Sequence, residues 1–452
     1  MNMIGRNFSA GKSISICGLA LCVSVPFADA SAKGRETVLY DFQGTTDGAN
    51  PSGVLITDSG GNLYGTAAEG GVTSCSTHMK GGNGCGVVFK LAPNGTESAL
   101  YAFTGGSDGA TPAGGLIVDS SGNFYGTTIQ GGARESHCKD GCGTVFKLTS
   151  GGTKTVLYAF TSGNDGQAPA SGVIADSAGN LYGTTEQGGS SENCGSDAVG
   201  CGTVFEVASG GNESVLHAFA GSSDGAYPAG GLLRDGSGNL YGTTGAGGST
   251  DSCGTAWDGC GTVFKIASNG TESILHAFTG SKDGAYPAGA LIEDSGGNMY
   301  GTTAAGGSAN DCGLGKHGCG TVFKIATGGT VTILHAFAGG SDGAYPLAVL
   351  SMDSKGNLYG ATGAGGSTST CGKFKFLPKA SGCGTVFEIA SNGTETVLHV
   401  FKGKNGDGAY SVAGFIADGS GSLYGSTFGG GVKTCAFGGG KTGCGAVFKI
   451  KK

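Results

Sequence analysis

The sequence predicts an all-β protein, a seven-bladed β-propeller built from four-stranded antiparallel blades. The segment GNLYGTT, or a close variant, occurs seven times, and its tyrosines are Tyr64, Tyr125, Tyr182, Tyr241, Tyr300, Tyr359 and Tyr424. Short runs rich in Val, Ile, Thr and aromatic residues accompany every copy, as is typical of β-strands. No segment shows the 3.6-residue apolar period of an amphipathic helix. A fixed period of short strands is the usual signature of a propeller.

Each repeat is expected to supply four strands, as the second copy illustrates. Gly115–Asp119 is the first strand, and a tight Ser-Gly-Asn turn leads to the second, Asn123–Thr128. A loop bounded by two cysteines precedes the third strand, Gly143–Leu148, and a short turn precedes the fourth, Thr155–Phe160. These links are too short for parallel crossovers, so an antiparallel meander is predicted.

The two ends of the chain favour a closed ring over an open β-helix solenoid. The predicted mature chain begins with a fourth-type strand, Thr37–Phe42, and ends with a third-type strand, Gly445–Ile450. The last blade is complete only if the N-terminal strand joins it, which closes the ring. A solenoid would gain nothing from this offset and would instead need polar caps.

The N-terminus resembles a secretory signal peptide, predicted over residues 1–30 and followed by a single propeller domain over residues 31–452. Arg6 and Lys12 precede an apolar run, Ile14–Phe27, and Ala28–Ala30 has the small-x-small pattern of a cleavage site. No later stretch is apolar enough to span a membrane. We therefore expect a secreted protein, either extracellular or periplasmic.

The charge balance argues against nucleic acid as a partner. The chain has a formal net charge of −7, and removal of Arg6, Lys12 and Asp29 with the signal peptide changes it to −8. No basic patch is evident, whereas nucleic-acid-binding proteins usually have one. Nothing in the pattern indicates an oligomer, and a monomer is expected.

The cysteines predict one disulfide per repeat. Cys17 and Cys22 lie in the predicted signal peptide, and the other fourteen of the 16 cysteines occur two per repeat. An even count in a secreted chain implies disulfides, and pairing within each repeat is the one scheme that every repeat satisfies alike. Zinc is the alternative, but the variable spacing within the pairs disfavours it. The predicted pairs are Cys75–Cys85, Cys138–Cys142, Cys194–Cys201, Cys253–Cys260, Cys312–Cys319, Cys371–Cys383 and Cys435–Cys444.

Three recurring segments, GNLYGTT, GCGTVFK and DGAYPxGGL, resemble the GloVer-type tandem repeat of bacterial "choice-of-anchor" surface proteins. They occur in order from Arg35 to Lys452. The first two strands also resemble NHL-type propeller blades. The resemblance implies a secreted or surface-displayed propeller without an activity assigned at family level. Because the chain ends directly after a strand, we expect a released protein rather than an anchored one.

The cysteine loops and the DGAYP segments are expected to share one face of the propeller, and the tight turns the other. Elaborated loops on a rigid scaffold often bind ligands. The disulfides either staple glycine-rich blades or also hold recognition loops rigid. Trp257 in one loop and Phe374 and Phe376 in another are candidate platforms for a sugar or a partner, or else rings folded onto the blades.

Four tyrosines of the DGAYP segments are further candidates: Tyr227, Tyr286, Tyr345 and Tyr410. They either pack between blades or form half of an aromatic ring suited to stacking on sugars. The other three repeats have Asn50, Thr111 and Ala168 at this position.

Two recurring aspartate series are interpreted as turn residues, because Asp readily bonds to following backbone amides. A calcium site is the alternative, although neither series has the dense spacing of a calcium loop. His217, His276, His335 and His399 occupy the place of Tyr40, Tyr101 and Tyr158, which indicates packing with a polar tip rather than metal ligation.

The function predicted from these features is a non-enzymatic binding scaffold, with a glycan or cell-envelope component as its ligand and no cofactor. No GxSxG, HExxH or phosphate-binding loop occurs in the sequence. Two alternatives remain open. One is a lyase or glycoside-active enzyme with acidic residues at the mouth of the channel, and the other is a purely structural surface component.

Overall fold

The computed structural model describes residues 34–452 except 73–74, 76–83, 190–193, 195–198, 249–252, 254–258, 308–311, 313–317, 367–370, 372–380, 405, 433–434, 438–439 and 442. This part of the chain forms seven antiparallel blade sheets, each with four main strands in the order of a meander. Two of these sheets include a fifth, short strand, and two small two-stranded sheets lie outside the blades. The predicted seven-bladed propeller is confirmed. The predicted signal peptide lies outside the described residues. No helix in the described part of the chain has the length and apolar character needed to cross a membrane.

We number the blades 1 to 7 in the chain order of their first strands. The first strands are Ile56–Thr57, Ile117–Val118, Ile174–Ala175, Leu233–Arg234, Ile292–Glu293, Ser351–Met352 and Ile416–Ala417. The second strands are Leu63–Glu69, Phe124–Thr128, Leu181–Thr185, Leu240–Thr244, Met299–Ala305, Leu358–Thr362 and Leu423–Thr427. The third strands are Val87–Leu91, Thr144–Leu148, Thr203–Val207, Thr262–Ile266, Thr321–Ile325, Thr385–Ile389 and Ala446–Lys451. The fourth strands are Glu97–Ala102, Lys154–Ala159, Glu213–Ala218, Glu272–Ala277, Val331–Ala336, Glu395–Val400 and Arg35–Asp41.

Short elements decorate the connections between these strands. The additional two- and three-residue strands are Ala49–Pro51, Ala285–Pro287, Gly408–Ala409, Gly429–Gly430, Ala436–Phe437 and Gly440–Lys441. Single 3₁₀ turns occupy Gly106–Asp108, Ser222–Asp224 and Gly340–Asp342.

The N-terminal strand closes the ring, as predicted. Arg35–Asp41 pairs antiparallel with Ala446–Lys451, so blade 7 takes its outer strand from the start of the chain and its three inner strands from the end. Because of this pairing, the C-terminal strand does not remain as an unpaired edge, which is the advantage of a closed β-architecture.

A ladder of phenylalanines runs from blade to blade. The phenylalanine that follows each fourth strand packs edge-on against the phenylalanine of the next blade's third strand, with ring centroids 5.0–5.3 Å apart. The pairs are Phe42–Phe89, Phe103–Phe146, Phe160–Phe205, Phe219–Phe264, Phe278–Phe323, Phe337–Phe387 and Phe401–Phe448. Because Phe42 packs on Phe89, the core continues across the point of closure.

The phenylalanine core explains why the second glycine of GNLYGTT has no side chain. A Cβ atom on Gly242 would lie 2.5 Å from Cζ of Phe264, which crosses directly beneath it in the neighbouring strand. The absence of a side chain therefore lets the large ring pack against the backbone. This constraint recurs with the period of the motif.

The first strands are shorter than predicted, because the glycine-rich segments before them lie between their own blade and the adjacent blade. Thr243 Oγ1, in the second strand of blade 4, donates to the carbonyl oxygen of Gly289 in the segment entering blade 5, at 3.3 Å. These segments surround an axial cavity of about 280 Å³ lined by small and apolar residues such as Gly115, Val349 and Ala413. No carboxylate is found among the described residues that line it.

Candidate ligand-binding face

The seven predicted disulfides form, each within its own repeat: Cys75–Cys85, Cys138–Cys142, Cys194–Cys201, Cys253–Cys260, Cys312–Cys319, Cys371–Cys383 and Cys435–Cys444. The second cysteine of a pair also holds the DGAYP segment. The amide of Tyr227, for example, donates to the carbonyl oxygen of Cys201 at 2.8 Å. The cysteine loops and the DGAYP segments therefore share one face, which we call the disulfide face.

The opposite face consists of tight turns held by the aspartates that follow the first strands. In blade 4, Asp235 accepts hydrogen bonds from the amides of Ser237 and Asn239, from the Asn239 side chain and from the Tyr241 hydroxyl. Burial alone would raise the pKa of Asp235, but these hydrogen bonds, led by those of Asn239, together outweigh burial and lower the pKa. The interpretation of this series as turn residues is confirmed.

The DGAYP aspartates are also turn residues, but they accept hydrogen bonds from preceding backbone amides and not, as predicted, from following ones. Asp224 accepts the amide hydrogen of Ala220 at 2.6 Å, and Asp165 accepts that of Thr161 at 2.8 Å. Each also contacts the fourth-strand Tyr or His before it, as Asp165 does with the Tyr158 hydroxyl at 2.9 Å.

The four candidate tyrosines lie near the disulfide cysteines. Tyr345 and Tyr410 are buried, with 0% and 4% of their surface exposed, whereas Tyr227 and Tyr286 are half-buried. The hydroxyl of Tyr286 donates to the carbonyl oxygen of Cys253 at 3.1 Å, and that of Tyr345 donates to the carbonyl oxygen of Cys312. Of the four rings, those of Tyr227 and Tyr286 retain accessible surface for a ligand.

The DGAYP position adopts a left-handed backbone in every repeat. Its φ is 58° in Tyr227 and 55° in Ala168, and a proline follows in both cases. Such a φ is uncommon for residues other than glycine. Because tyrosine, alanine, threonine and asparagine all accept it here, the conformation belongs to the scaffold rather than to one side chain.

Trp257, Phe374 and Phe376 lie outside the described residues, and their role as ligand platforms remains a prediction.

The disulfide face is asymmetric, because blades 1 to 3 differ from blades 4 to 7 at one position of the repeat. Two residues after the last threonine of GNLYGTT, or its equivalent, blades 4 to 7 have Ala246, Ala305, Ala364 and Gly429. Blades 1 to 3 have Glu69, Gln130 and Gln187 at this position. These same three blades follow the connections that lack the DGAYP tyrosine. One part of the face therefore carries the tyrosines, and the other carries polar side chains.

A groove of about 540 Å³ opens in the polar part, between blades 2 and 3. Its lining includes Gln130, Gln167 and Gln187, together with His137, Lys139 and Asp140 in or beside the disulfide loop of blade 2. The Gln167 side-chain amide donates to Oε1 of Gln187 at 2.6 Å. The amide oxygen of Gln167 itself is buried without a hydrogen-bond partner in the described structure.

These glutamines were missed by the sequence reasoning, which followed the residues that the repeats share. The signal that could have found them is the departure of Gln130, Gln167 and Gln187 from the small residues at the same positions of later repeats. A functional site on a symmetric scaffold is expected where the symmetry is broken.

Glu186 is a second departure from symmetry beside this groove. It precedes Gln187, and burial raises its pKa to about 7. The equivalent residues of the other repeats are Ala68, Ile129, Gly245, Ala304, Gly363 and Phe428. A carboxyl group with such a pKa can donate or accept a proton near neutral pH.

Solved structures with similar folds share little sequence with this chain. The extracellular domain of a B. thetaiotaomicron protein described as a one-component system is 11% identical, with a TM-score of 0.50; the match covers 94% of this chain but only 42% of that one. A gluconolactonase of Xanthomonas campestris is 13% identical with a TM-score of 0.40, covering 74% of this chain and 89% of its own. A luciferin-regenerating enzyme is 11% identical with a TM-score of 0.41, covering 93% and 95%. At these identities the likeness concerns the fold alone.

The sequence itself identifies the repeat. No curated protein matches the chain. The sequence profile of the Gloeobacter/Verrucomicrobia repeat matches residues 75–314, which is more than half of the chain and agrees with the resemblance of its recurring segments. The chain belongs to the Gloeobacter/Verrucomicrobia repeat family.

Proposed function

We propose that this protein is a secreted, non-enzymatic binding protein that holds a neutral glycan on its disulfide face, in the groove between blades 2 and 3. The observation that carries the proposal is the set of glutamines, Gln130, Gln167 and Gln187, gathered in a groove where other blades have small residues. Seven disulfides support an oxidising location, extracellular or periplasmic.

The chemistry of the groove suits hydroxyl-rich ligands. A glutamine side chain offers both donors and an acceptor, so neighbouring amides can satisfy a sugar hydroxyl that donates and accepts at once. The buried amide oxygen of Gln167 lacks such a partner. The Cys138–Cys142 bridge constrains the loop that carries Lys139, directly after His137, before any ligand arrives, which lowers the entropic cost of binding.

The test is a glycan array probed with the full-length mature protein and with the double variant Gln167→Ala/Gln187→Ala. The variant reproduces the natural pair Ala226 and Ala246 of the following repeat, so it should fold normally. Loss of two hydrogen-bonding amides should weaken binding of a neutral oligosaccharide by about tenfold or more.

Ser237→Ala is the matched control, because Ser237 is exposed in a turn on the opposite face. It should bind like the wild type. Equal binding by the double variant would remove the groove from the site, and an array without any bound glycan would favour a purely structural role.

Glu186 favours a second candidate function, a lyase or glycoside-active enzyme. Its pKa of about 7 would suit a general acid, and the other repeats have apolar or small residues in its place. Assays on a polysaccharide panel should then show activity that Glu186→Gln abolishes. An inactive wild-type protein on that panel would exclude these substrates.

A further inference from the structure

Each junction between consecutive blades contains a cluster of three side chains near the outer strands. The fourth strand of one blade supplies a Tyr or His, the following connection supplies the DGAYP aspartate, and the fourth strand of the next blade supplies a third residue. The clusters are Tyr40–Asp47–Glu97, Tyr101–Asp108–Lys154, Tyr158–Asp165–Glu213, His217–Asp224–Glu272, His276–Asp283–Val331, His335–Asp342–Glu395 and His399–Asp407–Glu36.

Two of these clusters bring three potential metal ligands together. In the cluster between blades 6 and 7, Nε2 of His399 lies 3.3 Å from a carboxylate oxygen of Glu36 and 3.3 Å from one of Asp407. Between blades 5 and 6, Nε2 of His335 lies 3.1 Å from Oδ1 of Asp342. Glu395 supplies the third potential ligand of this second cluster. In each cluster, the three potential ligand atoms lie within 4.8 Å of one another.

The two carboxylates of each cluster are close enough to repel one another. Burial, and after it the charges of Asp407 and Asp41, raises the pKa of Glu36 to about 8, although Lys402 acts in the opposite direction. Burial and, secondarily, Asp342 raise the pKa of Glu395.

Each of the two glutamates also has a buried oxygen without a hydrogen-bond partner in the described structure, Oε1 of Glu36 and Oε1 of Glu395. Only 11% of the Glu36 side chain and 13% of the His399 side chain are exposed. Buried, unsatisfied oxygens beside a second carboxylate call for a cation or a proton.

A neighbouring junction shows one way to supply the positive charge. Between blades 1 and 2, Lys154 replaces the glutamate and its ammonium group lies 3.0 Å from Oδ1 of Asp108. Between blades 4 and 5, Val331 takes the same place and leaves one carboxylate, Asp283, beside His276. The position therefore accommodates a cation or an apolar residue in other repeats of the same fold, and we expect replacement of the glutamates in the two clusters to preserve the fold.

We propose that Glu36–His399–Asp407 and His335–Asp342–Glu395 each bind one divalent transition-metal ion of the Zn²⁺ class. Ligand atoms bound at about 2.0–2.1 Å to a tetrahedral Zn²⁺ lie about 3.3 Å apart, which matches the spacing of His399 to its two partners. One imidazole and two carboxylates suit zinc, with water as the fourth ligand. Their ligand sets join consecutive blades, and Glu36 belongs to the strand that closes the ring.

The cluster between blades 3 and 4 has the same residue types but another geometry. Nε2 of His217 contacts both carboxylate oxygens of Asp224, at 3.1 and 3.3 Å, and Glu272 does not complete a group within 4.8 Å. We therefore expect zinc at two of the seven junction clusters.

The test uses the untagged full-length mature protein, stripped with a chelator and titrated calorimetrically with Zn²⁺. The expected result is binding of two equivalents with a higher unfolding temperature, because a ligand that binds only the folded state stabilises it. His335→Tyr/His399→Tyr copies the natural clusters that contain Tyr158 or Tyr40 and should lose both equivalents. Glu36→Val/Glu395→Val, which copies the natural cluster that contains Val331, should weaken both sites at least tenfold and tests the same claim independently of the histidine change.

Glu97→Val is the matched control, since its cluster contains Tyr40 in place of histidine. It should bind two equivalents like the wild type. The proposal is overturned if the stripped wild-type protein takes up no Zn²⁺, or if the histidine variant folds and still binds two equivalents; the buried carboxyl pairs would then share a proton instead.

Discussion

At the scale of single residues, the hairpin aspartates show what a repeat motif can predict. Asp294 accepts the amides of Gly296 and Asn298 and the Tyr300 hydroxyl, and these partners belong to the same short segment. Such local contacts follow from spacing along the chain. The junction clusters could not be predicted in this way, because Glu395 meets His335 only after the chain has travelled through a whole further repeat.

The buried glutamates of the tyrosine-containing clusters predict how stability depends on pH. Burial, and then the charge of Asp47, raises the pKa of Glu97 to about 7; burial, and then Asp165, does the same for Glu213. Because the folded-state pKa lies above the usual value near 4.3, their contribution to stability is fully present below about pH 4 and is lost as the pH rises through about 7.

The free energy of unfolding, measured by denaturant titration, should therefore fall between about pH 5 and pH 8. Glu97→Gln/Glu213→Gln should flatten this fall, since glutamine does not ionise. An identical dependence on pH in the variant and the wild type would show that these carboxyl groups do not titrate in this range.

At the scale of elements, strand composition was sufficient to predict four strands per repeat and their order, but not every boundary. The first strand of blade 2 was predicted as Gly115–Asp119, and only Ile117–Val118 pairs with its own sheet. A β-bulge near the middle of each fourth strand was also not predicted; in blade 2 the register shifts between Val156 and Tyr158. Both features depend on contacts with other strands, which local pattern does not reveal.

The phenylalanine ladder predicts that one ring can weaken two blades at once. Phe264 is fully buried and packs against Phe219 of the preceding blade. Phe264→Ala should lower the free energy of unfolding by about 3–5 kcal/mol, measured by denaturant titration. Val118→Ala is the control, because Val118 is 49% exposed and should change stability by less than about 0.5 kcal/mol. Comparable losses in the two variants would contradict the role of the ladder.

At the scale of the whole molecule, the types of the first and last strands were enough to predict a closed ring, because a fourth-type strand at one end can complete a blade that stops at a third-type strand at the other. The polar part of the disulfide face was not predicted, since it consists of departures from the consensus such as Gln167 and Glu186. The seven cysteine pairs were predicted because each repeat offers the same partners.

Ring closure predicts a large effect of a short deletion. Removal of Arg35–Phe42 takes away the outer strand of blade 7 and the Phe42–Phe89 contact. Unfolding should begin at a lower denaturant concentration. The free energy of unfolding should fall by more than the loss of about 3–5 kcal/mol that is expected for removal of the Phe42 ring alone. A circular permutant with the same segment moved beyond Lys452 should recover stability. An unchanged unfolding transition in the deletion variant would contradict closure by this strand.

The most direct test of the central claim, that the polar part of the disulfide face holds the ligand, is hydrogen–deuterium exchange of the full-length mature protein. Exchange would be compared without ligand and with the neutral oligosaccharide that binds most strongly in the array. The account predicts slower exchange in the groove segments around Gln130, His137, Gln167 and Gln187, and unchanged exchange in the turn Ser237–Asn239 of the opposite face. Slowing confined to the opposite face, or to the disulfide face of blades 4 to 7, would contradict it.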